Sequence, residues 1–164
     1  MNYELREMLP KDEDRILEIF RQGIDGGMAT FETTVPSDEA WDMDYLNDCR
    51  WVLKNEDNRV VGWCALKSVN KRESYKGVAE VSIYFDKEYQ NRGLGSVLLN
   101  KMILDSEDHG FWTLQISVFP ENKLALQALQ KNGFRIVGTR KKIGKLNDSW
   151  KDMILLERRS ETVF

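Results

Sequence analysis

The stretch Gln90-Asn91-Arg92-Gly93-Leu94-Gly95-Ser96 decides how this chain is read. It follows an alternating run, Glu80-Val81-Ser82-Ile83-Tyr84-Phe85, and opens an apolar segment of helical spacing that reaches about His109. A glycine-rich turn between a strand and a helix N-terminus is suited to hold a phosphate group. Gly93 and Gly95 carry no Cβ, so the backbone can approach a bulky anion. The first N–H groups of the helix lack intrahelical partners and sit at the positive end of its dipole. Arg92 adds a full charge beside them. A pyrophosphate-bearing cofactor fits such a turn better than a small free anion.

The spacing narrows the choice. A dinucleotide turn wants G-x-G-x-x-G early in the chain. Here Leu98 stands at the third glycine position, and the motif lies past mid-chain. A nucleotide P-loop wants a Lys after its last glycine, and none follows. What remains is Gln90-x-x-Gly93-x-Gly95, which resembles the acetyl-CoA signature of the GNAT acyltransferases. The plainer alternative is an ordinary left-handed turn that starts a helix.

Outward from that turn, the elements read in order as β-α-α-β-β-β-α-β-α-β-β. The first strand covers Tyr3 to Met8, and Asp12 is placed to cap the first helix. Residues 28–36 read as an extended loop. Ser37 caps a second helix with Trp41, Tyr45 and Leu46 on one face. Strands at Arg50–Asn55 and Arg59–Lys67 flank a hairpin turn, 69–77 is a loop, and Val78–Phe85 is the strand before the glycine turn. After the long helix come a strand at Trp112–Phe119, a helix from Asn122 to Asn132, and strands at Phe134–Lys141 and Trp150–Glu157 joined by a turn at Gly144–Ser149. The pattern predicts an α+β fold. By resemblance it is a GNAT-like mixed, mostly antiparallel central sheet with helices on both faces, one domain spanning 1–164. A second landmark, Asn122 with Ala125 and Gly133-Phe134, looks like the pattern of that family's last core helix. There the Asn approaches the CoA arm; as read from this chain alone it is a helix cap, and both roles are compatible.

Bulk properties agree. The chain has 164 residues, enough for one domain with a sizeable core, and 41% hydrophobic against 31% charged residues is ordinary for a globular protein. A net charge of −3 offers no electrostatic footprint for nucleic acid. No apolar run is long enough to span a membrane, and the N-terminus lacks a signal-peptide core, so a cytoplasmic location is expected. With two cysteines and one histidine, no metal site is expected. Cys64 lies in an apolar strand and reads as a small core residue. His109, at the end of the long helix, reads as a partner of its dipole.

The resemblance narrows further. Ala29-Thr30-Phe31-Glu32-Thr33, Trp41, Arg72, Tyr75, Ala79–Tyr84, Trp150 and Asp152 look like the phosphinothricin acetyltransferase branch. That branch N-acetylates amino-acid-like molecules such as phosphinothricin and methionine sulfoximine. The resemblance implies that acetyl-CoA is held by Gln90, Asn91, Arg92, Gly93, Leu94, Gly95, Ser96 and Asn122, with its pantetheine arm paired along Ile83, Tyr84 and Phe85. It also implies a homodimer acting on a small amine or amino-acid acceptor.

Glu80 is the candidate general base. It interrupts an apolar strand at a parity opposite to Val81 and Ile83, so it faces the other side of the sheet. Burial there would lift its pKa toward a useful range; a solvated edge carboxylate is the alternative. Arg72 is a candidate clamp for an acceptor carboxylate, and otherwise a solvated loop residue. Phe31, Glu32 and Tyr75 are candidate pocket residues, Phe31 equally a core residue, while Trp150 and Asp152 either complete the site or pack the last strands. The general acid is missing: Leu129 stands where the family carries His or Tyr, which leaves Tyr84 or Tyr75 to substitute. Two other functions stay open, a non-catalytic acyl-CoA sensor and a protein or peptide N-acetyltransferase.

Overall fold

The computed structural model describes residues 2–164. Strands β1 (Glu4–Glu7), β2 (Trp51–Lys54), β3 (Val60–Ser68), β4 (Val78–Phe85), β5 (Thr113–Val118), β6 (Arg135–Leu146) and β7 (Ser149–Arg159) form one sheet in the order β1-β2-β3-β4-β5-β7-β6. Every neighbouring pair is antiparallel except β4 and β5. Helices α1 (Glu13–Gly26) and α2 (Asp38–Asp44) cover one face, and α3 (Leu94–Asp108) and α4 (Lys123–Lys131) cover the other. This is the mixed, mostly antiparallel sheet expected.

Strand β3 shows why both faces are covered. Val60, Trp63 and Ala65 pack toward α1 and α2, while Val61, Cys64 and Leu66 pack toward α3 and α4. A strand apolar on both sides must be central and sandwiched. Cys64 is fully buried, as its apolar surroundings predict.

Three local readings need correction. Asp12 stands at the start of α1, but its carboxylate does not cap the helix. It turns back to accept the Leu9 N–H at 2.7 Å and a two-pronged contact from Arg6 at 2.7 and 2.8 Å, tying β1 to the helix start. Second, α2 stops at Asp44, so Tyr45, in extended backbone, and Leu46 lie beyond it and not on its face. The cause is Arg50, which lies just before β2 and donates to the carbonyls of Asp42, Tyr45 and Leu46 while its guanidinium lies over the Trp41 ring. Those contacts satisfy carbonyls that further helix would otherwise have to pair.

Third, the last hairpin is longer than its alternation suggests. β6 continues to Leu146 and β7 begins at Ser149. Only Asn147 and Asp148 form the turn, with φ of 49° and 67°, the double left-handed geometry of a two-residue hairpin. β6 carries register breaks between Ile136 and Gly138 and between Arg140 and Gly144. Each bulge shifts the period-two pattern, so the strand ceases to look like one after Lys141. Asp152 holds the second bulge by accepting the Lys142 N–H at 2.7 Å.

Candidate active site

The site is built on the one parallel pair. β4 and β5 pair at Val78↔Thr113, Ala79↔Leu114 and Glu80↔Gln115, and then part. β4 runs on to Phe85, held on its other side by β3 as far as Gly62, and β5 runs on to Val118, held by β7. A wedge therefore opens in the sheet directly after Glu80. Its β4 edge has no strand partner among the described residues beyond that point. Extended backbone with a free edge is what an amide-bearing chain pairs with.

The glycine turn lies beyond the wide end of the wedge. Asp86 begins a short turn, Lys87–Tyr89, and Arg15 and Gln22 of α1 reach across to its carboxylate. Asn91 and Gly93 take φ of 60° and 75°, so the chain folds back on itself before α3. Gly93 is the N-cap of α3, with no side-chain cap and no acidic residue in the first turn. A Cβ built at Gly93 or Gly95 meets no atom within 4 Å, so both positions border open space at the helix start. That opening fits a pyrophosphate at a helix start. The Arg92 guanidinium lies 4.8 Å from the Tyr89 ring centre. Gln90 Nε2 donates to the Phe85 carbonyl at 3.3 Å. Leu94 points into the core, so only its backbone is available to a ligand. The Ser96 hydroxyl accepts from Asn132 Nδ2 at 3.0 Å, which ties the turn to the end of α4. Asn122 caps α4, its Oδ1 accepting the Ala125 N–H at 3.3 Å.

Glu80 stands at the apex of the wedge. It faces the α1/α2 side, opposite Val81, as its parity predicts. Burial raises its pKa, and the ammonium of Lys67, its cross-strand partner, opposes that rise. Lys67 also lies over the Tyr45 ring at 4.8 Å, and the Tyr45 hydroxyl donates to Ser82 Oγ at 2.9 Å. Glu80 thus sits in a half-buried polar group of Lys67, Tyr45, Ser82 and Tyr84. Sequence reasoning missed Lys67, Tyr45 and Ser82. Lys67 becomes visible only through the β3–β4 register, and Tyr45 only once α2 is seen to end before it.

The remaining candidates divide. Tyr84 is wedged between Trp63, at 5.1 Å, and Phe20, at 5.0 Å between ring centres, and burial pushes its hydroxyl up to about 12. Ile83 and Phe85 pack into the α3/α4 core, leaving their backbones to the wedge. Phe31 lies against Phe119 and over Gly144, in a small core beneath the β6–β7 hairpin. Glu32 is exposed but close enough to Tyr84 to raise its pKa. Arg72 and Tyr75 lie on the exposed β3–β4 connection, where Arg72 N donates to Asn70 Oδ1 at 2.9 Å. Leu129 is buried in the core, and Trp150 is exposed beneath the Lys145 ammonium.

A mixed sheet that parts beside its parallel pair, with a bare helix start beyond the opening, is the build of an acyl-CoA-dependent N-acetyltransferase. The chain belongs to the GNAT acetyltransferase family, whose profile matches residues 16–134. It is similar to YwnH of Bacillus subtilis (strain 168), a candidate phosphinothricin acetyltransferase, at 27% identity over 90% of this chain and 93% of that protein. It is also similar to the L-amino acid N-acetyltransferase AaaT of Escherichia coli (strain K12), at 29% identity over 79% and 81% of the two chains. Among solved structures, a phosphinothricin acetyltransferase from Sinorhizobium meliloti in complex with AcCoA superposes with a TM-score of 0.86 at 24% identity, over all of this chain and 96% of that one. The chain is a GNAT N-acetyltransferase, of a family that uses acetyl-CoA as acetyl donor, and it resembles phosphinothricin acetyltransferases in sequence and fold.

Proposed function

We propose that the chain transfers the acetyl group of acetyl-CoA to the amino group of a small amino-acid acceptor, of the phosphinothricin or methionine sulfoximine type, by direct attack. The observation that carries this reading is the wedge after Glu80, which sets a raised carboxylate at its apex and a bare helix start beyond its mouth. The relatives' amino-acid substrates support the acceptor class.

The roles follow from position. The N–H groups after Gly93 hold the pyrophosphate, with Arg92 adding charge and Gln90, Asn91, Gly95 and Ser96 shaping the turn. The free edge at Ile83, Tyr84 and Phe85 pairs with the pantetheine amides, and one of its N–H groups stabilises the developing oxyanion. Asn122 meets the CoA arm. Glu80 takes the proton of the attacking amine, through a water where the distance requires one. The nitrogen–carbon bond forms as the carbon–sulfur bond breaks, and sulfur leaves as the CoA thiolate. A thiol of pKa roughly 8.5 leaves tolerably without a dedicated acid, consistent with Leu129 at that position. Arg72 holds the acceptor carboxylate, with Glu32 and Tyr75 at the pocket rim. Phe31 supports the wall through Phe119.

Among the described residues no helix is long and apolar enough to cross a membrane. A single catalytic domain acting as a cytoplasmic homodimer is part of the proposal. A thiol-release screen with acetyl-CoA over amino acids, sulfoximines, polyamines and peptides tests the function. Turnover confined to acceptors with a free carboxylate supports it. Turnover confined to peptides replaces it with a protein acetyltransferase, and tight acetyl-CoA binding with no turnover replaces it with a sensor.

A further inference from the structure

The far end of α3 carries a group of side chains that acetyl transfer does not use. Cys49, Asp105 and His109 each bring one donor atom within 4.8 Å of the others. Cys49 Sγ lies 3.7 Å from His109 Nδ1, and Asp105 Oδ1 lies 3.3 Å from the same nitrogen. A tetrahedral zinc ion, bonded at about 2.3 Å to sulfur and about 2.0 Å to nitrogen or oxygen, spaces its ligands about 3.6 Å apart for S and N, and about 3.3 Å for N and O. Those two edges match, and the third, from Cys49 Sγ to the Asp105 carboxylate, lies within 4.8 Å and closes to about 3.5 Å when an ion sits between them.

The surrounding contacts are those that orient metal ligands. Asp48 Oδ1 lies 3.7 Å from the other ring nitrogen of His109, a charge contact that a small ring movement would close to a hydrogen bond. The second oxygen of Asp105 accepts the Trp51 indole N–H at 2.7 Å. A carboxylate behind a ligating imidazole, and a donor on the spare oxygen of a ligating carboxylate, fix ligand direction and tune the metal. Cys49 is 4% exposed and His109 sits at the surface, so the group has a dry floor and an open mouth.

We propose that Cys49, Asp105 and His109 bind a divalent cation of the zinc class, with solvent as the fourth ligand. Thiolate and imidazole select zinc or cobalt over magnesium or calcium. Thiolate and carboxylate together cancel the charge of the ion. Binding releases the Cys49 thiol proton. For Nδ1 to face the ion the His109 ring turns away from the Asp105 carbonyl, which now lies 2.8 Å from Nδ1, and the ring N–H is then carried on Nε2, on the side of Asp48. The count of one histidine in the sequence argued against such a site; the fold supplies the other two ligands from the segment before β2 and from α3. The site lies at the opposite end of α3 from the glycine turn, about 20 Å away at 1.5 Å per residue. The cation clips the segment before β2 to the end of α3 and takes no part in the acetyl step.

Cobalt(II) titrated into chelator-treated protein tests the site, because a thiolate ligand gives a charge-transfer band in the near ultraviolet. One equivalent of cobalt is expected to give that band, to keep it in Cys64→Ala, and to lose it in Cys49→Ala. Asp48→Asn should weaken cobalt about tenfold. Zinc should raise the melting temperature of the parent chain and leave that of His109→Gln unmoved. His109 is partly exposed, so this variant keeps the fold and separates lost binding from lost structure. Absence of the band at stoichiometric cobalt, or an undiminished band in Cys49→Ala, overturns the proposal. Neither result bears on acetyl transfer.

Discussion

Helices α3 and α4 pack on the same face of the sheet, yet their first turns are built in opposite ways. α4 opens on Asn122, whose side chain accepts a first-turn N–H, and α2 likewise opens on Ser37, whose Oγ accepts the Ala40 N–H at 3.1 Å. α3 opens on a left-handed glycine with no cap and no acidic residue nearby. A cap is worth about 1 kcal/mol, so the bare start of α3 forgoes stability that its neighbours keep. The difference supports the proposed place of the anion: N–H groups answered internally at α4 lack a side-chain cap at α3, where the positive end of the dipole stands uncovered.

Gly95→Val should break that contrast most severely. A Cβ at Gly95 meets nothing within 4 Å, so the variant folds, while its branched side chain fills the approach to the bare N–H groups. Losing two charge-assisted hydrogen bonds, each worth about 1.5–3 kcal/mol, raises the acetyl-CoA dissociation constant by more than about a hundredfold. Calorimetry reads the affinity, and the melting temperature confirms the fold. Near-parental affinity in the folded variant would mean that the bare terminus is not the anion site.

Glu80→Gln separates chemistry from that binding. Acetyl-CoA affinity should hold, while kcat/KM falls by about a hundredfold, the scale of general base catalysis. The base works only when ionised, so the rate falls as pH drops through its pKa. Burial lifts that pKa, so the acidic limb lies higher than an ordinary glutamate would place it, and it should vanish in the Gln variant. Lys67 pulls the same pKa down. Lys67→Met should therefore move the limb to higher pH and leave the alkaline plateau standing. A limb that stays in place in both variants would remove Glu80 from the proton transfer.

In the proposed function the acceptor's carboxylate is a second anion, and the exposed β3–β4 connection offers side chains rather than a helix start to receive it. A side chain must do so, and Arg72 is the candidate. Because Arg72 is exposed, its contact lies at the low end of the charged range, and Arg72→Ala should raise KM for amino-acid acceptors about tenfold with little change in kcat. Amines without a carboxylate should not respond. Equal loss for both acceptor types would place Arg72 outside the acceptor site.

The contrast between these helix starts was partly legible in the sequence, because caps and glycine turns are local. Gly93, Gly95, Ser37 and Asn122 announce themselves within a few residues of the helices they open. The parting of β4 from β5 does not, because it depends on where two strands separated by α3 stop pairing. The same holds for Lys67 opposite Glu80, a contact set by register across the 69–77 connection. Phe31 showed only an aromatic in a loop, equally suited to a pocket or a core. Its place against Phe119 follows from the long β6–β7 hairpin, whose bulges hid its true length.

The smallest effects sharpen the comparison furthest. Ser37→Ala and Asn122→Ala each remove a side chain that accepts a first-turn N–H, and each should cost about 1 kcal/mol of stability. Denaturant unfolding should show the two losses as similar midpoint shifts with unchanged slope. Their effects on the donor should differ. Ser37 serves α2, a helix on the opposite face of the sheet from α3, so its loss leaves acetyl-CoA affinity untouched. Asn122 serves α4, whose far end reaches the glycine turn through Asn132 and Ser96, and its amide is also proposed to meet the CoA arm. One neutral hydrogen bond is worth about 1 kcal/mol, so Asn122→Ala should weaken acetyl-CoA about fivefold. Asn122→Asp keeps the cap and removes the amide donor, so it should restore stability without restoring affinity. If Asp restores both, Asn122 is a cap and nothing more, and the cofactor is held from the α3 side alone.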